Sequence, residues 1–155
     1  MSAEHAVLRA ARREEAAALS GLALRSKGHW GYDAEFLAAC RAELTLDPDE
    51  LATHRTLVAE VDGRPAGFGT LEGAPPYGEL GMLFVDPDLL GRGIGTVLLA
   101  ALVDRAREEG FTRLTVDADP NAEAFYLAHG AVRAGTVGSA SIPGRVLPRL
   151  ELTIT

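Results

Sequence analysis

Between Leu89 and Leu99 the chain reads LLGRGIGTVLL, with glycines at 91, 93 and 95. An apolar run, Leu80 to Val85, and Asp86-Pro87 precede this stretch, and a long amphipathic pattern follows it. That order predicts a strand, a glycine turn and a helix start. The first amides of a helix have no partner within the helix, and the macrodipole makes that end positive. Glycine lets a ligand come close to the backbone. Together these features form an anion site, for which phosphate is the usual occupant, and Arg92 adds a formal charge. Two other phosphate loops fail on residues. The chain has no Gly-Lys pair, so the Walker pattern is absent. Counting from Gly91, Thr96 stands where the dinucleotide fingerprint needs its third glycine. Two readings remain: open amides holding a phosphate, or glycines that only shape a tight strand-to-helix turn.

The elements that must position this loop follow from periodicity. Val7 to Ala10 reads as a strand and Arg13 to Ser26 as a helix, with Gly28 just past its end. Asp33 caps a second helix carrying Phe36, Leu37, Cys40 and Leu44, which Asp47-Pro48-Asp49 breaks. Thr56 to Val61 and Arg64 to Leu71 flank Asp62-Gly63, a hairpin signal. Glu79 to Val85 reads as one more strand, with Glu79, Gly81, Leu83 and Val85 on one face and Leu80, Met82 and Phe84 on the other. A helix from about Gly93 to Glu109 buries Ile94, Val97, Leu98, Ala101 and Leu102, and Gly110 stops it. Leu114 to Ala118, a short helix from Asn121 to His129, and strands near Ala131 to Val137 and Leu147 to Ile154 complete the order. The expectation is one mixed α/β domain over 1–155, with about four helices, a mostly antiparallel central sheet and one right-handed parallel βαβ crossover.

At 155 residues the chain suits one domain, and its 47% hydrophobic and 24% charged residues are an ordinary globular mix. A net charge of -7 argues against nucleic acid and is compatible with a cationic substrate. The single cysteine, Cys40, excludes an internal disulfide and reads as a small core residue. His5, His54 and His129 have no metal spacing, so no metal is expected. The polar N-terminus lacks the apolar stretch of a signal peptide, and no apolar run is long enough for a membrane span. A cytoplasmic protein without a membrane partner is therefore expected.

FVDPDLLGRGIGTVLLAALVDRAREEG resembles the acetyl-CoA motif of the GCN5-related N-acetyltransferases, whose core reads Gln/Arg-x-x-Gly-x-Gly/Ala. Here the window is Leu90-Gly91-Arg92-Gly93-Ile94-Gly95: both glycines match, and Leu90 departs from Gln or Arg. A second family motif, a short helix with an aromatic pair and a closing glycine, resembles Asn121 to Gly130 with Phe125 and Tyr126. The family usually places Asn seven residues before the tyrosine; Asp119 holds that slot here and Asn121 stands five before. SKGHWGYDAEF and SIPGRVLP also look like segments of an uncharacterised bacterial branch of the family.

The resemblance implies transfer of an acetyl group from acetyl-CoA to a primary amine by direct attack in a ternary complex. The acceptor is a small amine or a peptide amine, and a homodimer is left open. It implies that the main chain of Leu90, Gly91, Arg92, Gly93, Ile94, Gly95 and Thr96 holds the pyrophosphate. It further implies that Leu83, Phe84 and Val85 pair with the pantetheine arm like an added strand, which requires a free edge and favours a bulge near Gly81. Asn121 or Asp119 contacts the cofactor arm. Tyr126 matches the tyrosine that lies near the CoA sulfur and is the candidate acid. Glu79 lies eleven residues before Leu90, the spacing of the base in the histone-modifying branch, and is the candidate base, directly or through water. Trp30 and Tyr32 fall between the first two helices, where the family roofs its acceptor site. Phe125 reads as core, and Arg145 reads as a solvated loop charge, with a carboxylate on the acceptor as the alternative. A domain of the same fold that binds an acyl-CoA without catalysis is the alternative function.

Overall fold

The computed structural model describes residues 6–155, so His5 and the four residues before it lie outside the described residues. The elements run β1 (Val7–Ala10), a 3-10 turn at Arg13–Glu15, α1 (Ala16–Gly28), α2 (Ala34–Leu44), β2 (Leu57–Val61), β3 (Arg64–Gly69), β4 (Glu72–Ala74), β5 (Tyr77–Glu79), β6 (Leu83–Val85), α3 (Ile94–Glu109), β7 (Arg113–Asp117), α4 (Glu123–Ala128), β8 (Val132–Gly138) and β9 (Val146–Thr153). One sheet has the order β1-β2-β3-β6 and the other β4-β5-β7-β9-β8. Among the described residues all pairs are antiparallel except β5 with β7, which closes a parallel crossover through α3.

Local chemistry accounts for most boundaries. The Asp33 carboxylate accepts the Phe36 N–H at 2.8 Å and starts α2. Asp62 and Gly63 both have positive φ, 51° and 78°, the geometry of a tight two-residue hairpin. Gly110, at φ 91°, closes α3 in the left-handed conformation.

The strand expected over Glu79–Val85 is in fact two. β5 pairs with β7, and the Leu80 N–H still bonds Thr115 O at 2.9 Å. β6 pairs only with β3, through Gly67↔Val85, Phe68↔Phe84 and Gly69↔Leu83. Between them the alternation slips by one residue. Leu80 and Leu83 both pack toward α3, whereas Met82 and Phe84 pack toward α1 and α2. Gly81 sits at the slip: a Cβ there would lie 1.7 Å from Glu72 Oε2, so a larger residue requires that carboxylate to move aside. The extra residue splays the two sheets and leaves β6 with one unpaired edge.

The core forms on both faces of the sheets. Phe68, Leu19 and Leu22 are fully buried under α1 and α2, and Leu98, Leu102 and Leu114 are fully buried under α3. The buried face of α3 is wider than the expected stripe. Leu99 and Ala106 are buried, while Val97 and Ala101 are only half-buried, because the helix spans both halves of the splayed sheet. Cys40 is buried, as its position on the α2 face predicted, and burial raises its thiol pKa. No helix among the described residues is long and apolar enough to cross a membrane.

Candidate active site

The splay opens a pocket of about 440 Å³ between the glycine loop, β6 and α4. Of the cofactor residues read from the sequence, Leu83, Phe84, Val85, Leu90, Gly91, Gly93, Ile94, Gly95, Thr96 and Asn121 line it. The Arg92 side chain does not. It lines a separate depression with Asp62 and Arg64, so its charge is directed away from the pocket.

Gly93 starts α3 with φ 79°, a conformation that costs other residues about 1–2 kcal/mol. The first helical bond back along α3 runs from the Val97 N–H to Gly93 O at 3.1 Å. The N–H groups of Ile94, Gly95 and Thr96 therefore have no backbone acceptor and stand at the positive end of a sixteen-residue helix. Phe125, expected in the core, is half-buried and lines the pocket; its ring lies 3.4 Å from where a Gly95 Cβ would stand. His129 joins the loop to α4: one ring nitrogen is 2.7 Å from Phe125 O and the other 3.0 Å from Thr96 Oγ1. Since the carbonyl can only accept, Nδ1 carries a proton, and in the neutral ring Nε2 accepts from the Thr96 hydroxyl.

Tyr126 is 6% exposed and lines both this pocket and a narrower cavity of about 100 Å³ behind it. Its hydroxyl makes no hydrogen bond among the described residues, and burial raises its pKa, so the phenol stays protonated at neutral pH.

Asp119 is the hub of the pocket wall. Its carboxylate accepts from Lys27 Nζ at 2.7 Å, from the Tyr32 hydroxyl at 2.9 Å and from Arg145 Nη2 at 3.3 Å. It also accepts the Asn121 N–H at 2.8 Å. Burial pushes its pKa up, but the Lys27 hydrogen bond and the Asn121 N–H outweigh burial and hold it at about 2. The Tyr32 hydroxyl in turn accepts from Asn121 Nδ2 at 3.0 Å and Arg145 Nη2 at 2.9 Å. Arg145 is therefore not a solvated loop charge. Its side chain is 17% exposed and lies 4.8 Å from the Phe36 ring centroid, beside the Tyr32–Phe36 stack. This cluster ties α1, the α1–α2 connection and the β8–β9 loop to the end of β7. Sequence reading missed Lys27 and the role of Asp119. Their partners stand up to 113 residues apart, as for Arg145 and Tyr32, so no local spacing reveals them.

Trp30 is 47% exposed, packs edge-on against His29 and lines the mouth of the main pocket. Tyr32, expected with Trp30 at the acceptor site, does not line the pocket; it stands behind the wall, its hydroxyl bonded to Asp119, which does. Glu79 ends β5, exposed, and lines neither the main pocket nor the cavity behind it. Its pKa is raised by partial burial, then by the Glu72 and Asp117 carboxylates. Glu72, its cross-strand partner, is the carboxylate that enters the splay beside Gly81.

The arrangement matches known proteins. The family model described as Acetyltransferase (GNAT) family matches residues 11–131, and the chain belongs to that family. A mycothiol acetyltransferase of Clavibacter sepedonicus is 41% identical over 80 residues, half of this chain and 25% of the relative; the chain thus spans about a quarter of that protein's length. A GCN5-related N-acetyltransferase structure from Rhodopseudomonas palustris has a TM-score of 0.78 and 31% identity, covering 96% of this chain and 95% of the other. The PaiA N-acetyltransferase of Thermoplasma acidophilum, solved with coenzyme A, shares the fold at a TM-score of 0.80 and 18% identity, with 96% and 98% covered.

Proposed function

We propose that this protein transfers the acetyl group of acetyl-CoA to a primary amine by direct attack in a ternary complex. The observation that carries the reading is the pocket in which unpaired amides, a free strand edge and a buried, unpartnered phenol meet. The amides of Gly91 to Thr96 fit a pyrophosphate. The free edge of β6 fits an extended amide-bearing arm, which would bond to it as an added strand. The half-buried side chains of Leu83, Phe84 and Val85 give that arm apolar walls. With Asp119 saturated by its own partners and Asn121 Nδ2 engaged by Tyr32 and Asp119, the Asn121 Oδ1 is the acceptor left for the arm.

Acetyl-CoA, when bound, supplies a thioester whose thiol leaving group has a pKa of about 8.5. The Tyr126 phenol can donate its proton to the departing sulfur. An alkyl ammonium titrates near 10, so only about one amine in a thousand is neutral at pH 7. Removing that proton helps the attack. Glu79, with its raised pKa and exposed position, serves as the base through water.

Titration calorimetry tests the reading, with desulfo-CoA and ATP as comparison ligands. Micromolar acetyl-CoA binding with much weaker ATP binding is expected, followed by amine-dependent release of CoA. Folded protein that binds no acetyl-CoA would sink it.

A further inference from the structure

A cavity of about 230 Å³ lies where the end of α2 and the following turns meet β3 and β4. Four carboxylates line it, from Glu43, Asp47, Glu50 and Glu72, with His54 as the single basic group; no lysine or arginine lines it. His54 Nε2 lies 3.2 Å from Glu50 and 3.9 Å from Glu72, so one imidazole faces an acidic excess. Thr56, only 4% exposed, also lines the cavity, and its buried hydroxyl has no hydrogen-bond partner among the described residues. A buried hydroxyl without a partner is uncommon and costs free energy. Among the described residues no group of side chains is arranged to hold a metal ion.

This cavity belongs to a series. Glu43 and Met82 line both it and the cavity of about 100 Å³ behind the main pocket. Tyr126 and Lys27 line both that middle cavity and the main pocket. The Glu72 carboxylate stands at the partition, against Gly81, which lines the middle cavity. The three recesses thus share walls in series, with the carboxylates at one end and Tyr126 at the other.

An ammonium brings three donors and no acceptor. Carboxylates and an unpartnered hydroxyl are the complementary set, and an un-neutralised acidic recess draws cations by its field. We propose that the acceptor is an alkyl diamine: one amine reaches the Tyr126 end of the series, and the second, as an ammonium, rests in the acidic cavity against Glu50, Glu72 and Thr56. The inference rests on the acetyltransferase reading and names its acceptor class.

The test compares linear α,ω-diaminoalkanes of increasing length with monoamines of the same length, at saturating acetyl-CoA. One diamine length should exceed its matched monoamine by about thirtyfold in kcat/KM, mostly through KM. The Glu50→Gln, Glu72→Gln double variant should reduce that preference to within about threefold, again through KM rather than kcat. Because Glu50 is exposed, Glu50→Gln alone keeps the fold and should show part of the same loss. Calorimetry of the diamine against the full chain gives a second readout that needs no turnover. Equal rates for diamines and monoamines, or no diamine binding, would overturn the inference. Acetyl-CoA binding in the same instrument reports separately on the transferase reading.

Discussion

The two mouths of the splay are made of different materials. On the α3 side the ligand-facing groups are mostly backbone: unpaired amides from Ile94 to Thr96 and the open edge of β6, walled by apolar side chains. On the α2 side they are side chains, chiefly carboxylates. Between the two stands the Asp119 cluster, which joins loops from both ends of the chain. Backbone groups depend on φ and ψ and hardly on residue identity, so Leu90 can replace Gln or Arg without removing a donor. A side-chain cavity changes with every substitution. In our reading the first half serves a co-substrate common to the family, and the second sets which acceptor this chain takes.

The sharpest way to break that contrast is to remove the hub. Asp119→Ala leaves Lys27 and Arg145 unpaired in a largely buried setting, which should cost about 3 kcal/mol. Calorimetric melting should show Tm falling by about 10 °C; a shift within two or three degrees would show that the cluster only decorates the wall. Tyr126→Phe should lower kcat by about a hundredfold and leave the acetyl-CoA Kd in place. Loss of binding instead would give the phenol a packing role.

Acid titration isolates the same cluster. The Asp119 pKa in the fold, about 2, lies below its ordinary value of 3.8, so its stabilisation is full above about pH 4 and is lost as the pH falls toward 2. That contribution is about 2 kcal/mol and should be missing from the acid limb of an Asp119→Asn variant. Gly93→Ala should weaken acetyl-CoA by about tenfold, since alanine at φ 79° is strained, and should leave diamine binding unmoved. A change in both would couple the two mouths. The smallest effect should come from Glu79→Gln, a loss of less than about tenfold in kcat/KM, because an exposed carboxylate acting through water is readily replaced by another water. The acid limb of the unaltered enzyme should lie above the ordinary Glu value, given the direction of the Glu79 shift, and should be missing from the variant.

Much of this molecule is legible in the chain. Periodicity located α2, α3 and the β2–β3 hairpin, because apolar spacing, Asp33, Asp62-Gly63 and Gly110 act within a few residues of where they stand. The glycine loop was equally local: a strand end, three glycines and a helix start place its amides whatever the rest of the fold does. The resemblance to a known family added the expectation that such a loop takes the pyrophosphate of acetyl-CoA.

Tertiary structure alone decided the rest. Glu79–Val85 reads as one strand, since the phase slip at Gly81 follows from β5 pairing with β7 while β6 pairs with β3, both distant in sequence. Arg145 reads as a loop charge, since its aromatic and acidic partners come from α2, the α1–α2 connection and the end of β7. The acidic cavity is spread from Glu43 to Met82, with no spacing that marks it. Local structure is set by steric and hydrogen-bonding rules that act over a few residues, so the sequence by itself determines helices, turns and the glycine loop. Sites made of side chains from distant elements exist only once packing of the whole core brings those elements together.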